Sequence, residues 1–276
     1  MIEKKINSIM LCFFQNLLEC NEICHFITTR MDGYSKNPYN SLNLGFHVGD
    51  DSQTVLENRK QLANSIGVPL CNFTTAQQVH GDHIEIISEN DQGCGSNDYE
   101  TAVVATDAMV SSVQNICLMV LVADCVPILL FDRKKKIIGV VHAGWKGTVH
   151  RIAQKTVILL KEKFGCSGND ILIGIGPSIG PCCYIVDMET ITGNVNVSEE
   201  NNEIILHGNR NGNGNGKGYF DLWETNKLQF KKMGIPEKNI ETAGKCTSCN
   251  NDIFYSHRKE EGRTGRFGVG IMLNKI

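Results

Sequence analysis

A chain of 276 residues, 41% hydrophobic and 21% charged, has the make-up of an ordinary globular protein, and at this length roughly three quarters of the unfolded surface can be buried without staples. The formal net charge of −3 lacks the basic excess expected of a nucleic-acid partner, and no apolar run approaches the ~20 residues that span a bilayer. The apolar stretch at residues 9–14 is too short for an export-signal core, so the chain is expected in the cytoplasm, its twelve cysteines mostly reduced. In that setting a metal or catalytic role for one or two of them outranks bridging. Length alone allows one or two domains. With no internal repeat and no shift in composition, residues 1–276 read as a single domain.

The elements follow in chain order. A helix is expected at residues 53–66, with Val55, Leu62 and Ile66 on one side and a stop at Gly67-Val68-Pro69. Strand-length apolar segments come next at 73–79, 83–87, 102–105, 116–123, 128–131 and 137–141. The run Arg133-Lys134-Lys135-Lys136 reads as a solvated turn between the last two. A helix is expected over 147–164, closed by Gly165, and a strand at 171–175 that runs into Gly176-Pro177-Ser178-Ile179-Gly180-Pro181. Asp221 caps a helix reaching Met233 and ended by Gly234 and Pro236, and the final strand covers 267–273. Residues 209–218, NRNGNGNGKG, read as a flexible surface insertion. They lack the Ser or Thr after Lys217 and the spacing of a phosphate loop.

The chemistry starts at the pair of strands around the basic turn. Pairing Asp132 with Ile137 across a short loop puts His142 opposite Pro127, two residues from Cys125. Cys125 and His142 therefore meet at one end of a hairpin, where buried strands hand over to loops and side chains reach a cleft from a rigid base. A thiolate beside an imidazole suits zinc, with Zn–S near ~2.3 Å and Zn–N near ~2.0 Å. Two ligands hold a metal weakly, and spacing leaves the third open among His80, His83, His25 and His47.

Many stretches are similar to one family. The matches include Thr28-Thr29-Arg30, Pro38-Tyr39-Asn40-Ser41-Leu42-Asn43-Leu44-Gly45, His47-Val48-Gly49-Asp50, Asn58-Arg59, Gln78-Val79-His80-Gly81, Ala123-Asp124-Cys125-Val126-Pro127 and His142-Ala143-Gly144-Trp145. The C-terminal half adds Gly180-Pro181-Cys182-Cys183-Tyr184, Asp221-Leu222-Trp223, Cys246-Thr247, Ser256-His257-Arg258 and Gly262-Arg263-Thr264-Gly265-Arg266. The chain resembles the YfiH-like laccase-domain family, also called the polyphenol-oxidase laccase or peptidoglycan editing factor group. Met31-Asp32 departs from the family's usual glycine, away from the motifs. The resemblance implies an α+β fold, a mixed β-sheet sandwich flanked by helices, and a metal held by His80, Cys125 and His142, which are also the catalytic residues. Three protein ligands leave a fourth zinc position for water or substrate, the arrangement of catalytic sites.

The implied reactions are phosphorolysis of adenosine, inosine and S-methyl-5′-thioadenosine and deamination of adenosine, by a monomer acting on purine nucleosides and phosphate. Arg59 and Arg258 are weak candidates for the phosphate clamp, and Asp124 for orienting a ligand histidine or shuttling protons. Cys246-Thr247-Ser248-Cys249 lacks the second CxxC of a four-cysteine zinc site and is read as structural or incidental. Adjacent Cys182-Cys183 is read as packing near the pocket. Two rivals remain. A metal-free cysteine hydrolase acting on peptidoglycan precursors would use Cys125 as nucleophile and His142 as base. A copper-dependent polyphenol oxidase sits badly with eight histidines and no His-x-His.

Overall fold

The computed structural model describes residues 1–193, 204–208 and 216–275. In chain order the elements are β1 (Ile2–Ile6), β2 (Ile9–Phe13), α1 (Gln15–Leu18), β3 (Ile23–Thr28), α2 (Ser52–Ile66), β4 (Phe73–Thr74), β5 (Ile84–Ile86), β6 (Ala108–Ser111), β7 (Cys117–Val122), β8 (Val126–Asp132) and β9 (Ile137–Ala143). They continue with α3 (Trp145–Val149), α4 (Ile152–Phe164), β10 (Ile171–Ile175), β11 (Ile185–Asp187), α5 (Met188–Gly193), β12 (Leu206–Gly208), β13 (Lys217–Phe220), α6 (Leu222–Lys232), β14 (Ile240–Thr242) and β15 (Phe267–Leu273).

Among the described residues the strands form two six-stranded sheets, ordered β1-β2-β3-β15-β7-β4 and β14-β10-β8-β9-β6-β5, and a three-stranded sheet β11-β13-β12. Both large sheets mix parallel and antiparallel pairs. Side-chain alternation explains why they stack. On β7, Leu118, Val120 and Val122 join Val269 and Ile271 of β15 and meet Leu129, Phe131, Ile138 and Val140 of the second sheet in one core. The opposite faces are covered too. Cys117, Met119 and Leu121 pack with Leu62 and Ala63 of α2, while Val126, Ile128 and Leu130 pack with Val157 and Leu160 of α4 and Phe230 of α6. Two covered faces require apolar residues at successive positions, so β7 to β9 read as unbroken runs rather than alternations. The architecture is the expected α+β sandwich flanked by helices.

Several expected elements change. The 147–164 helix is two helices, because Arg151 adopts a left-handed conformation (φ 60°) between α3 and α4. Thr148, at the break, is held from α6: its hydroxyl accepts from Asn226 and its carbonyl from Gln229, so α3 ends where a second helix claims its backbone. Of 73–79 only Phe73–Thr74 is a strand; the rest is loop that serves the site. Residues 102–105 form only an isolated bridge, Ala76 with Val103. Residues 209–215 of the expected insertion lie outside the described residues. Lys217 and Gly218 are not insertion but the start of β13, fixed by pairing with β11 and β12 on either side.

Candidate metal centre

The hairpin delivers the first two candidate ligands as its register required. β8 and β9 pair with Pro127 opposite His142 and Val126 opposite Ala143, so Cys125, just before β8, comes to rest beside His142. His80 arrives on the loop after β4. That loop is tied to the first sheet by Gln78, whose side-chain amide donates to the Leu121 carbonyl (2.9 Å) and accepts from the Leu121 N–H (2.9 Å). The ligand atoms of His80, Cys125 and His142 all lie within 4.8 Å of one another, and the two imidazoles meet edge to face at 4.8 Å between centroids. Of the other candidate ligands, His25 is buried with Nε2 accepting from the Phe14 N–H, His83 faces Glu85, and His47 packs against Tyr99 in the pocket wall.

One buried carboxylate organises the cluster. Asp107 accepts from the N–H groups of Val79 (3.3 Å), His80 (3.0 Å) and Gly81 (2.7 Å). Its Oδ1 also meets His142 Nδ1 at 2.7 Å. The three donors explain why His80 sits at φ 60°, a left-handed conformation that costs a non-glycine residue and is held only by such surroundings. Donation from Nδ1 leaves His142 Nε2 free to face an ion, the usual outer support of a metal-binding imidazole. Burial opposes charge on Asp107, but the His142 contact and the Gly81 and His80 amides overcome it and hold the carboxyl below its usual range. Burial likewise opposes the Cys125 thiolate and the His142 cation, yet each stabilises the other: the thiol is shifted down and the imidazole up. A depressed thiol flanked by two imidazoles is a ready metal-ligand set, and the residues present fit a metal ion.

Gly144 completes the fit. A Cβ there would lie 3.1 Å from both Cys125 Sγ and His80 Cδ2, so the glycine of His142-Ala143-Gly144-Trp145 leaves room for the cluster. The cluster forms the floor of a cavity of about 380 Å³ walled by Leu121, Trp145, Tyr184, His257, Arg258 and Arg266.

Two expectations are corrected. Arg59 is no phosphate clamp: it is 2% exposed, donates to the carbonyls of Leu44, Gly95 and Ser96 and covers the Phe46 ring. Asp124 does not orient a ligand histidine. Its carboxylate accepts from the Thr247 hydroxyl and the Arg258 N–H, each at 2.6 Å, pinning two loops to the pocket, and Asp107 does the orienting. Arg258 does reach the pocket. Arg266 is a second cation there, and nothing in its motif's spacing pointed to that place. Asp107 gave no signal in its own neighbourhood; it flanks β6, whose pairing of Ala108 with Val141 carries it alongside His142.

A sandwich that gathers two imidazoles and a thiol at the floor of a small-molecule pocket has the build of a metal-associated enzyme. The chain belongs to the family described as multi-copper polyphenol oxidoreductase laccase, whose model matches residues 24–274. It is 37% identical over 240 residues to purine nucleoside phosphorylase YlmD of Geobacillus stearothermophilus, covering 87% of this chain and 86% of that one. It is 35% identical over 246 residues to adenosine deaminase RL5 of an unknown prokaryotic organism, covering 89% and 92%. The crystal structure of YlmD from Geobacillus stearothermophilus superposes with a TM-score of 0.88 at 33% identity, over 99% of this chain and 98% of that one. No helix among the described residues is long and apolar enough to cross a membrane.

Proposed function

We propose that the chain is a zinc-dependent purine nucleoside enzyme, with His80, Cys125 and His142 as both metal ligands and catalytic centre. Its reactions are phosphorolysis of adenosine, inosine and S-methyl-5′-thioadenosine to base plus ribose or methylthioribose 1-phosphate, and hydrolytic deamination of adenosine to inosine. It acts as a monomer in the cytoplasm. The observation that carries the reading is the meeting of the three side chains on the floor of a nucleoside-sized cavity, with Asp107 behind His142. Relatives named for both activities support it.

When bound, zinc supplies Lewis acidity at the cavity floor. The chain's own residues do the rest. Asp107 holds one tautomer of His142, so the ligand set needs no rearrangement as substrate enters. Trp145 and Tyr184 add aromatic surface to the cavity wall, with the Arg258 guanidinium lying over the Tyr184 ring at 5.3 Å. In phosphorolysis a phosphate oxygen forms the new bond to C1′ as the bond to the base breaks and the base leaves with the electron pair. Arg258 and Arg266 bring two guanidinium groups to the same pocket to hold that anion. Copper oxidation draws little support: the two clusters among the described residues that could hold a metal contain only two histidines, His80 and His142.

The test is incubation of the purified protein with adenosine, with and without phosphate, with products identified by mass. Adenine plus ribose 1-phosphate only in the phosphate arm, and inosine in both, are expected, with both activities lost on chelation and restored by zinc. No turnover of any nucleoside, or turnover indifferent to chelation, would refute the reading.

A further inference from the structure

Cys182 and Cys183 lie in the turn after β10, and Cys246 and Cys249 in the turn after β14. Nothing in the nucleoside chemistry uses them. Their four sulfurs lie within 4.8 Å of one another, with Cys182 to Cys249 at 3.6 Å and Cys183 to Cys249 at 3.4 Å. A regular tetrahedron of thiolates bonded to one ion at ~2.3 Å has edges of about 3.8 Å. The sulfurs are therefore spaced like the corners of a mononuclear site, too close for the thiolates of an iron–sulfur cube and too far apart for a bond of about 2.05 Å between two of them. An independent contact agrees: the Gly180 backbone N–H donates to Cys246 Sγ at 3.2 Å. A backbone dipole pointed at sulfur stabilises a thiolate and is wasted on an inert thiol.

We propose that Cys182, Cys183, Cys246 and Cys249 bind one zinc ion as a second, structural site. Four thiolates with no place for water are the closed form of zinc coordination, and each thiol gives its proton to solvent as the ion loads. The site needs no second CxxC. The chain turns so tightly at Cys182-Cys183 that two neighbouring side chains reach the same Cys249 sulfur.

The ion would join segments more than 60 residues apart, already stitched by a bridge between Ser178 and Cys246 and by the Thr247 N–H donating to the Ser178 carbonyl (3.0 Å). The first segment walls the pocket, Ile179 and Tyr184 lining it, and the second reaches it through Thr247, which holds the lining residue Asp124 at 2.6 Å. The ion thus braces the pocket wall from behind, without touching substrate.

The experiment uses the full chain, purified without chelator, and counts zinc by elemental analysis. The Cys125→Ser protein isolates the proposed site from the pocket: it should retain about one zinc per chain, and the cobalt-loaded form should show the strong thiolate charge-transfer and tetrahedral ligand-field bands of a four-sulfur site. Cys249→Ser should lose one zinc equivalent relative to the parent and melt at a lower temperature. Because Cys249→Ser could fail to fold, the cobalt spectrum of Cys125→Ser decides the matter. A Cys125→Ser protein that folds but carries no metal and no thiolate bands overturns the proposal, as does a disulfide linking Cys249 to Cys182 or Cys183 in freshly isolated protein. The outcome is independent of nucleoside turnover, so either reading can fail alone.

Discussion

At the scale of single residues, Asp107 joins metal holding to the fold of the loop at residues 79–81, whereas Gly144 separates the two. Removing the Asp107 charge while keeping its shape (Asp107→Asn) leaves His142 without its orienting carboxylate, and outer-shell losses of this kind cost about 10–100-fold in metal affinity. Competition with a chromophoric chelator measures this, and unchanged affinity would assign the orienting role elsewhere. Gly144→Ala adds a methyl 3.1 Å from two ligand side chains, so metal affinity should drop while the melting temperature of the metal-free protein barely moves. Replacing Arg59 with Met strands the Leu44 and Ser96 carbonyls in the interior, Gly95 keeping the Thr75 hydroxyl, and should cost about 2 kcal/mol or more in urea unfolding. Arg266→Gln should raise the KM for phosphate, with a stability loss smaller than at Arg59 but not absent, because its guanidinium also donates to the carbonyls of Thr264 and Gly265. A stable Arg59→Met protein with a raised phosphate KM would reverse these assignments.

At the scale of elements, what the sequence made legible is what is local. The β8–β9 hairpin follows from one short turn, and its register delivered Cys125 and His142 together with no knowledge of the rest of the chain. α2 and α6 were readable from their ends, since glycine closes both and Asp221 accepts from the Glu224 N–H (3.0 Å). Asp221→Ala should therefore destabilise the protein by about 1 kcal/mol; an unchanged unfolding midpoint would mean another group satisfies the helix end. What spacing could not reach is non-local. The third ligand needed family resemblance, Asp107 needed the pairing of β6 with β9, and the four cysteines needed two loops folded onto one another. The break at Arg151 was equally invisible, because its cause sits on α6. Strands β1 to β3 are not legible locally, because residues 9–14 resemble a truncated export core and the sheet partner of β3, β15, lies at the other end of the chain.

At the scale of the whole molecule, stability depends on pH through His25 in the first sheet. Burial pushes this imidazole down to about 4, from 6.5 in the unfolded chain. Between those values the unfolded chain binds the extra proton and the native one refuses it. The contribution is thus complete above pH 6.5 and is lost as pH falls toward 4, amounting to about 3 kcal/mol. His25→Gln, which can still accept from the Phe14 N–H, should reduce the slope of the stability profile across that window, the remainder coming from His47, which burial also pushes down to about 4. An unaltered slope would place the acid sensitivity on other groups.

β7 belongs to one large sheet and β8 to the other, so Cys125 occupies the stretch where the backbone steps between the layers. His80 is moored to β7 through Gln78 and His142 is a residue of the second layer. An ion gripping all three acts as a rivet through the laminate, and occupancy becomes a term in the folding equilibrium. Every tenfold increase in free zinc beyond the dissociation constant should then add about 1.4 kcal/mol to the work of prying the sheets apart, visible as a melting point that climbs with the logarithm of metal activity.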